Sequence, residues 1–419
     1  MKVSVSAVLR LFASLARERM QPVATRDAGR VICEWARALM PREGATDLEL
    51  PLHRTLVADS AHSERVLAAE PSRATYCAGP AKVDGMNFLA PNGLTIADGE
   101  EWRELRAFNE QVLASRAPHP DAQIFLAHVR AAFNAPVHDQ NDISRAMGRA
   151  MVGIVFGDSA APFSDPGAEV RELFSVVASV PKRKAVARLY APRRQRFYAM
   201  LRKRWEGVHP TNDATLLTRA RAAAGDLDRE QLIQQLPHWM FTFTGSASKL
   251  LTRTLALVLS RAAVRERVLD ELGAAGPLTD ASTIDALPYL DACLREGGRL
   301  FPPVAATSHS AAPGTGDGPS ELIHWFPLLQ RADSLGQSTH EFRPERWLRD
   351  SRDAPSLASN LFLRGPRSCP GESLVLFVCR AAIARLVGEL HQTCRGNRLS
   401  RDPLPISFPQ NEAVFGVEA

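Results

Sequence analysis

Cys369 is the residue whose surroundings point most directly to chemistry. It stands in Asn360-Leu-Phe-Leu-Arg-Gly-Pro-Arg-Ser-Cys-Pro-Gly-Glu372, just ahead of a long apolar, helix-like run. Pro370 and Gly371 introduce that helix, so Cys369 faces unpaired backbone N–H groups and the positive end of the helix dipole. Both favour thiolate over thiol. Arg364 and Arg367 add positive charge nearby. Gly365 lets the backbone turn tightly, and Phe362 can shield the sulfur from water. A shielded, hydrogen-bonded thiolate beside a flat apolar partner is what a haem iron takes as its axial ligand. A lone cysteine before a helix is more often simply a buried thiol, so the residues around it must decide.

They do so by spacing. Phe362, Gly365, Arg367, Cys369 and Gly371 fill every fixed position of an F-x-x-G-x-R-x-C-x-G pattern. Over these ten residues the chain resembles the cytochromes P450, the haem-thiolate monooxygenases. The resemblance runs from about Leu94 to Leu390. It implies haem b with Cys369 as the iron ligand, and Arg367, Phe362, Gly365 and Gly371 around the cofactor.

Further segments follow in the family's chain order. Leu287 to Pro303 contains Glu296 and Arg299, which share one helical face at i, i+3. Alone, such a pair is an ordinary ion pair worth about 0–1 kcal/mol. Followed by Arg-Leu-Phe-Pro-Pro, it resembles the family's K helix, taken here as 286–300. Phe342-Arg-Pro-Glu-Arg-Trp347 resembles a later segment, with Trp347 in place of Phe. The resemblance implies that Arg346 joins Glu296 and Arg299 in a buried network that holds the cysteine loop. Trp102 and Arg106 match W-x-x-x-R one turn apart, and an arginine fork suits a haem propionate. His309 falls where the family usually has a basic residue for a propionate.

The distal helix departs from the pattern. The family's I helix, expected over about 228–260, usually carries Gly, a spacer, an acid, then Thr. Aligned on Gly245, the acid position is Ala247 and the alcohol position is Ser248. Ala247 has no group to relay a proton, and Ser248 lacks the methyl that fixes a threonine rotamer. Three accounts compete: substrate groups complete the relay, another residue such as Ser246 or Thr244 does so, or the reaction is not ordinary oxygen activation.

The elements that must position these residues are mostly helical. Apolar periodicity marks helices from Ala7 to Arg19, Glu101 to Ser115, Asp121 to Phe133 and Ile143 to Val155, and one long stretch from Asp228 to Leu272, interrupted by Pro237 and Gly245. Strand-like segments are short: Thr55 to Val57, Leu94 to Ile96 and Leu322 to Trp325. Pro and Gly punctuate loops at Ala311 to Pro319 and Asp350 to Pro366. The segment from Ala312 to Glu321 replaces a strand and Pro-Lys-Gly turn usual in the family, so a remodelled sheet edge is expected there. No Pro- or Gly-rich linker divides the chain. The expected fold is mostly α with a small β region, a triangular single domain over 1–419.

Composition agrees with a globular protein. Charged residues are 23% and the hydrophobic set is 45% of the 419 residues, near ordinary usage. The balance of 51 basic and 46 acidic residues gives +5, too mild to imply nucleic acid. Lysine is rare beside arginine, which associates with a high-GC bacterial genome. The six cysteines form no CxxC pair, which fits a reducing cytoplasm better than a disulfide scaffold. The first apolar stretch is broken by Arg10 and is too short for a span of about 20 apolar residues, so it reads as an amphipathic helix.

Lys182 to Arg204 holds ten basic residues and no acid. It is a solvated face, a basic mouth for an anionic substrate or an acidic carrier protein, or a contact with membrane lipid. The expected activity is hydroxylation or epoxidation of a small organic molecule in bacterial secondary metabolism. Electrons would come from a separate ferredoxin or flavodoxin, with Arg364 a docking candidate. Two alternatives stand beside it: a haem-thiolate enzyme that rearranges, dehydrates, couples or uses peroxide, and a non-catalytic haem or ligand-binding protein.

Overall fold

The computed structural model describes the chain except residues 22–25, 41–45, 70–75, 116–117, 158–172, 174–182, 208–213, 312–320, 332–336, 349–359, 396–397 and 418–419. The expected loops and remodelled edge therefore lie largely outside the described residues. Helices dominate, as the periodicity predicts. Several start at a residue whose side chain accepts a backbone N–H of the first turn: Ser4, Asp27, Asp59, Asp139, Asp228 and Asp280 among them. Among the described residues, no helix is long and apolar enough to cross a membrane.

The strands β1 (Leu48–Leu50), β2 (Arg54–Val57), β3 (Tyr76–Ala78), β4 (Ala306–Ala311) and β5 (Glu321–Trp325) form one sheet in the order β1-β2-β5-β4-β3. β2 and β5 run parallel and the other pairs antiparallel. Two of the three expected strands are here. The third, Leu94 to Ile96, is a turn. The Leu94 amide donates to Gln235 Oε1 at 3.1 Å and the Ile96 amide to the Gly93 carbonyl at 3.0 Å, so no ladder partner is left to take.

The sheet positions one side of the site. Ala78 stands opposite His309 across β3 and β4, and the Gly79 amide donates to the Ser308 carbonyl at 3.0 Å. The helix Pro80–Leu89 therefore starts against β4, with Pro80 where its missing N–H costs nothing. Lys82 lies in its first turn.

The long stretch from Asp228 to Leu272 is divided further than the sequence suggests. Arg229–Ile233 is one short helix, and Gln235–Thr242 follows with Pro237 in its first turn, where proline is tolerated. Phe243–Ala247 is a π-turn, after which Ser248–Leu259 resumes the α-helix. The helix then stops because Arg261 is extended, at φ −127° and ψ 103°. Its guanidinium is held by Asp402 and the Leu399 carbonyl. No Gly or Pro marks this break.

Glu372–Ile383, the helix after Cys369, is buried nearly all round from Leu374 onward. An all-apolar helix belongs in a core, and it packs on Ala122–Ala132, Ser248–Leu259 and Pro288–Leu300. Pro288–Leu300 reaches the cysteine loop through Gly298. A Cβ there would fall 2.5 Å from Leu361 Cδ2, so any larger residue would have to push the Leu361 side chain aside.

Candidate active site

The cysteine loop is a closed turn. The Cys369 amide donates to the Phe362 carbonyl at 2.7 Å, and the Ser368 amide to the Gly365 carbonyl at 3.0 Å. Gly365 has φ +67°, a left-handed conformation that favours glycine. A Cβ there would also lie 2.4 Å from the Leu67 carbonyl oxygen. The turn delivers Cys369 to the start of its helix, where the Gly371 amide faces the sulfur.

Cys369 is half-buried and lines a cavity of about 620 Å³. Among the described residues it is the only cysteine that does so. Burial pushes its thiol up to about 11, and Glu372 adds to this; the Gly371 amide and Arg106 only partly oppose them. The expectation that Arg364 and Arg367 would supply positive charge to the sulfur is corrected. Arg367 donates to the Ala97 carbonyl and pairs with Asp98, and Arg364 pairs with Glu64 at 3.7 Å. A thiolate at Cys369 therefore calls for a bound cation, since a metal-coordinating thiol is deprotonated outright. No cluster of three or more His, Cys, Asp or Glu able to hold a bare metal ion occurs among the described residues. One sulfur facing a roomy cavity suits a metal that brings its other ligands with it.

The predicted charge network is present. Glu296 accepts five N–H groups: Arg299 Nε and Nη2 at 2.9 and 2.8 Å, Arg346 Nε at 3.0 Å, the Arg343 amide at 3.2 Å and Trp347 Nε1 at 2.8 Å. Burial opposes its charge, but Arg299 and Arg346 overcome that and hold the carboxyl below its ordinary range. Arg299 also donates to the carbonyls of Gln330 and Thr339. Gln330 Oε1 in turn accepts the Asn360 amide at 2.8 Å. The network thus reaches the first residue of the cysteine loop through Gln330.

Trp102 and Arg106 lie on Gly99–Leu113 and both line the cavity. They grip the loop as well. Arg106 donates to the Ser368 carbonyl and to Glu110 Oε1, while the Arg367 guanidinium sits 5.8 Å from the Trp102 ring centroid. His309 is buried in β4 and lines the same cavity. Its ring meets His324 edge-on at 5.1 Å, and its Nδ1 has no hydrogen-bond partner among the described residues. Burial pulls it down to about 2, so it is neutral.

The distal helix requires a correction. Ser248 does not line the cavity; its hydroxyl donates to the Thr244 carbonyl at 2.7 Å. The Thr244 hydroxyl donates to the Met240 carbonyl at 3.0 Å, and neither Thr244 nor Gly245 lines the cavity. Thr242, Phe243, Ser246, Ala247 and Leu250 do. The π-turn adds a residue to one turn and changes which side chains face inward. Carbonyls within it find other donors: Ser144 Oγ reaches Thr244 O at 3.1 Å, and the Cys379 thiol reaches Ala247 O at 3.8 Å.

Lys82 and His238 are among the lining residues that the sequence did not single out. Lys82 depends on the pairing of β3 with β4, which no local pattern reveals. His238 could have been found, since His238, Thr242 and Ser246 recur at i, i+4, i+8 on the predicted helix. The described part of the basic stretch does not line this cavity: among the described residues of Arg183–Gly207 none does, and Lys182 lies outside the described residues. Arg202 pairs with Glu230, Arg194 lies over Tyr198, and Arg204 over Phe156.

No protein-family model matches the chain. It is 25% identical over 347 residues to the cytochrome P450 monooxygenase btcB of Colletotrichum orbiculare, covering 71% of this chain and 64% of that protein. It is 29% identical over 175 residues to the cytochrome P450 monooxygenase AMT3 of Alternaria alternata, covering 38% of this chain and 36% of that one. The matches thus span less than two thirds of these relatives' length. A crystal structure of a cytochrome P450, CYP102L1, superposes with a TM-score of 0.70 at 16% identity, over 88% of this chain and 89% of that one. The fold is that of the cytochromes P450. Both of these sequence relatives carry the name cytochrome P450 monooxygenase.

Proposed function

We propose that the chain is a haem-thiolate monooxygenase that hydroxylates or epoxidises a small organic molecule. The observation that carries this is the Cys369 sulfur, opening alone among the cysteines into a cavity walled by Leu113, Phe362, Ala247, Leu250 and Val375. The residues fit haem b: Cys369 as the iron ligand, apolar walls for the ring, and Trp102, Arg106, Arg367 and His309 at a polar edge for the propionates. When bound, the haem would supply oxygen activation, with the thiolate as electron donor to the iron.

The chain's own part is to exclude water, orient the substrate and hold a proton. Ala247 contributes no ionisable group, so Ser246 Oγ and Thr242 Oγ1 are the hydroxyls this helix offers the cavity. Ser246, or a hydroxyl or carboxylate of the substrate itself, would hold the proton. Ser248, committed to the Thr244 carbonyl, is a helix-shaping residue. Electrons would come from a separate ferredoxin or flavodoxin, in a bacterial cytoplasm, within secondary metabolism.

Turnover tests this reading. Product should form with NAD(P)H, ferredoxin and oxygen, and not without electrons. Full-rate product without any donor would favour the rearranging alternative that Ala247 motivates. Binding without product under every donor would favour a ligand-binding protein. Ser248→Ala should leave the ratio of product to NAD(P)H nearly unchanged. Ser246→Ala should lower it and raise peroxide, approaching the roughly 10²-fold lower end of general acid assistance when no substrate group substitutes. The reverse ranking would return the relay to Ser248.

A further inference from the structure

We infer that Lys82 and His238 form a carboxylate-binding subsite in the wall of the Cys369 cavity. Both side chains line it. Lys82 comes from the first turn of Pro80–Leu89, fixed against β4. His238 comes from Gln235–Thr242, on the same cavity-lining series as Thr242 and Ser246. Among the described residues the Lys82 ammonium has no hydrogen bond or ion pair, and His238 Nδ1 has no hydrogen-bond partner. The two are close enough for the Lys82 charge to act on the His238 ring.

Among the described lining residues Arg54 pairs with Glu321, Arg106 with Glu110 and Arg367 with Asp98, which leaves Lys82 as the cation without a carboxylate partner. Asp98 is near Lys82, but Arg367 takes its carboxylate. Arg367 itself repels Lys82. Arg106 is held by Glu110, and His309 is neutral. Burial, with this repulsion, lowers the Lys82 ammonium to about 8, and burial lowers His238 to about 4. At neutral pH Lys82 is charged, and His238 is an uncharged imidazole with one N–H to give. A charge that has lost much of its hydration gains from a counter-ion. An ammonium beside an imidazole N–H supplies charge and donors for one carboxylate.

Two carboxylates can reach this wall: a haem propionate, or the acid group of an otherwise apolar substrate lying along Leu94, Phe243 and Leu250. The inference rests on the haem-thiolate reading, so the experiment first records the reduced carbon monoxide spectrum of each variant. A normal band leaves that reading standing whatever follows.

The variants are Lys82→Met, His238→Leu and the conservative Lys82→Arg, all as holoprotein. One arm measures affinity for dodecanoate against dodecan-1-ol by calorimetry. The other measures transfer of haem to apomyoglobin against transfer of haem dimethyl ester, whose propionates carry no charge. Lys82→Met should weaken dodecanoate binding, or speed haem loss, by roughly ten- to a hundredfold, the range for a hydrogen bond to a charged group. The matching uncharged probe should not respond. His238→Leu should act in the same arm with a smaller effect, and Lys82→Arg should restore most of the loss. A response to dodecanoate identifies the substrate as the source, and a response to haem identifies the propionate. A change below about twofold in both arms, or equal loss with the uncharged probes, overturns the inference. Should Lys82→Met not fold, His238→Leu decides by the same criteria.

Discussion

Cys369→Ala should abolish the red-shifted Soret band of the reduced, carbon monoxide-treated protein. The band reports a strong anionic sulfur donor on haem iron, and alanine has no atom to replace it. Among the described residues no second sulfur lines the cavity. Cys33, Cys293 and Cys379 are buried elsewhere, and Cys77 and Cys394 donate to the carbonyls of Ser310 and Glu412. Alanine at any of these five should leave the band in place. The loop should survive the change, because its closure runs through the Cys369 amide and the Phe362 carbonyl, not through the thiol. Circular dichroism would confirm a folded variant. A Cys369→Ala protein that keeps the band, with another cysteine variant that loses it, would show that the ligand lies elsewhere.

Arg299→Ala should cost roughly 3–5 kcal/mol, the penalty for removing one member of a buried ion pair. Both partners are almost completely buried, with side-chain exposures of 1% for Arg299 and 0% for Glu296. Glu296 would keep Arg346, Trp347 and the Arg343 amide, so its charge would be only partly stranded. The larger loss is on the arginine side, where the carbonyls of Gln330 and Thr339 would lose their donor. Gln330 carries the Asn360 amide, so the damage should appear as poor haem content as well as a lower melting temperature. Trp347→Phe removes one hydrogen bond to the same carboxylate and should cost less, about 1.5–3 kcal/mol. A fully haem-loaded Arg299→Ala protein of wild-type melting temperature would show that the network does not support the loop.

What could be read from the sequence was local. The cysteine turn is written in neighbouring residues: Gly365 for the left-handed turn, Pro370 and Gly371 for the helix entry. Glu296 and Arg299 share a helical face at a spacing that needs no tertiary knowledge, and the resemblance supplied Arg346. What could not be read depends on register. Trp347 Nε1 on Glu296 requires two distant segments to meet. Lys82 enters the cavity only because β3 pairs with β4, and three-residue strands carry too little pattern to announce their partner. Leu94 to Ile96 has strand-like residues, yet Gln235, far along the chain, takes the Leu94 amide. Ser248 was misplaced because a 3.6-residue period assumes an unbroken α-helix, and nothing in Phe-Thr-Gly-Ser-Ala marks a π-turn.

That π-turn has an evolutionary consequence. It amounts to one extra residue within a helix, and each residue of an α-helix turns the chain by about 100°. Gain or loss of a single residue at Phe243–Ala247 would swing the upstream half, with His238 and Thr242, around the helix axis relative to Leu250 and the tightly packed segment beyond it. Point substitution changes one lining side chain at a time. An indel here would exchange a whole row of them while the packed segment from Leu251 to Val258 stays in register. The part of this helix that meets substrate can therefore diverge in one step, in a lineage whose core cannot.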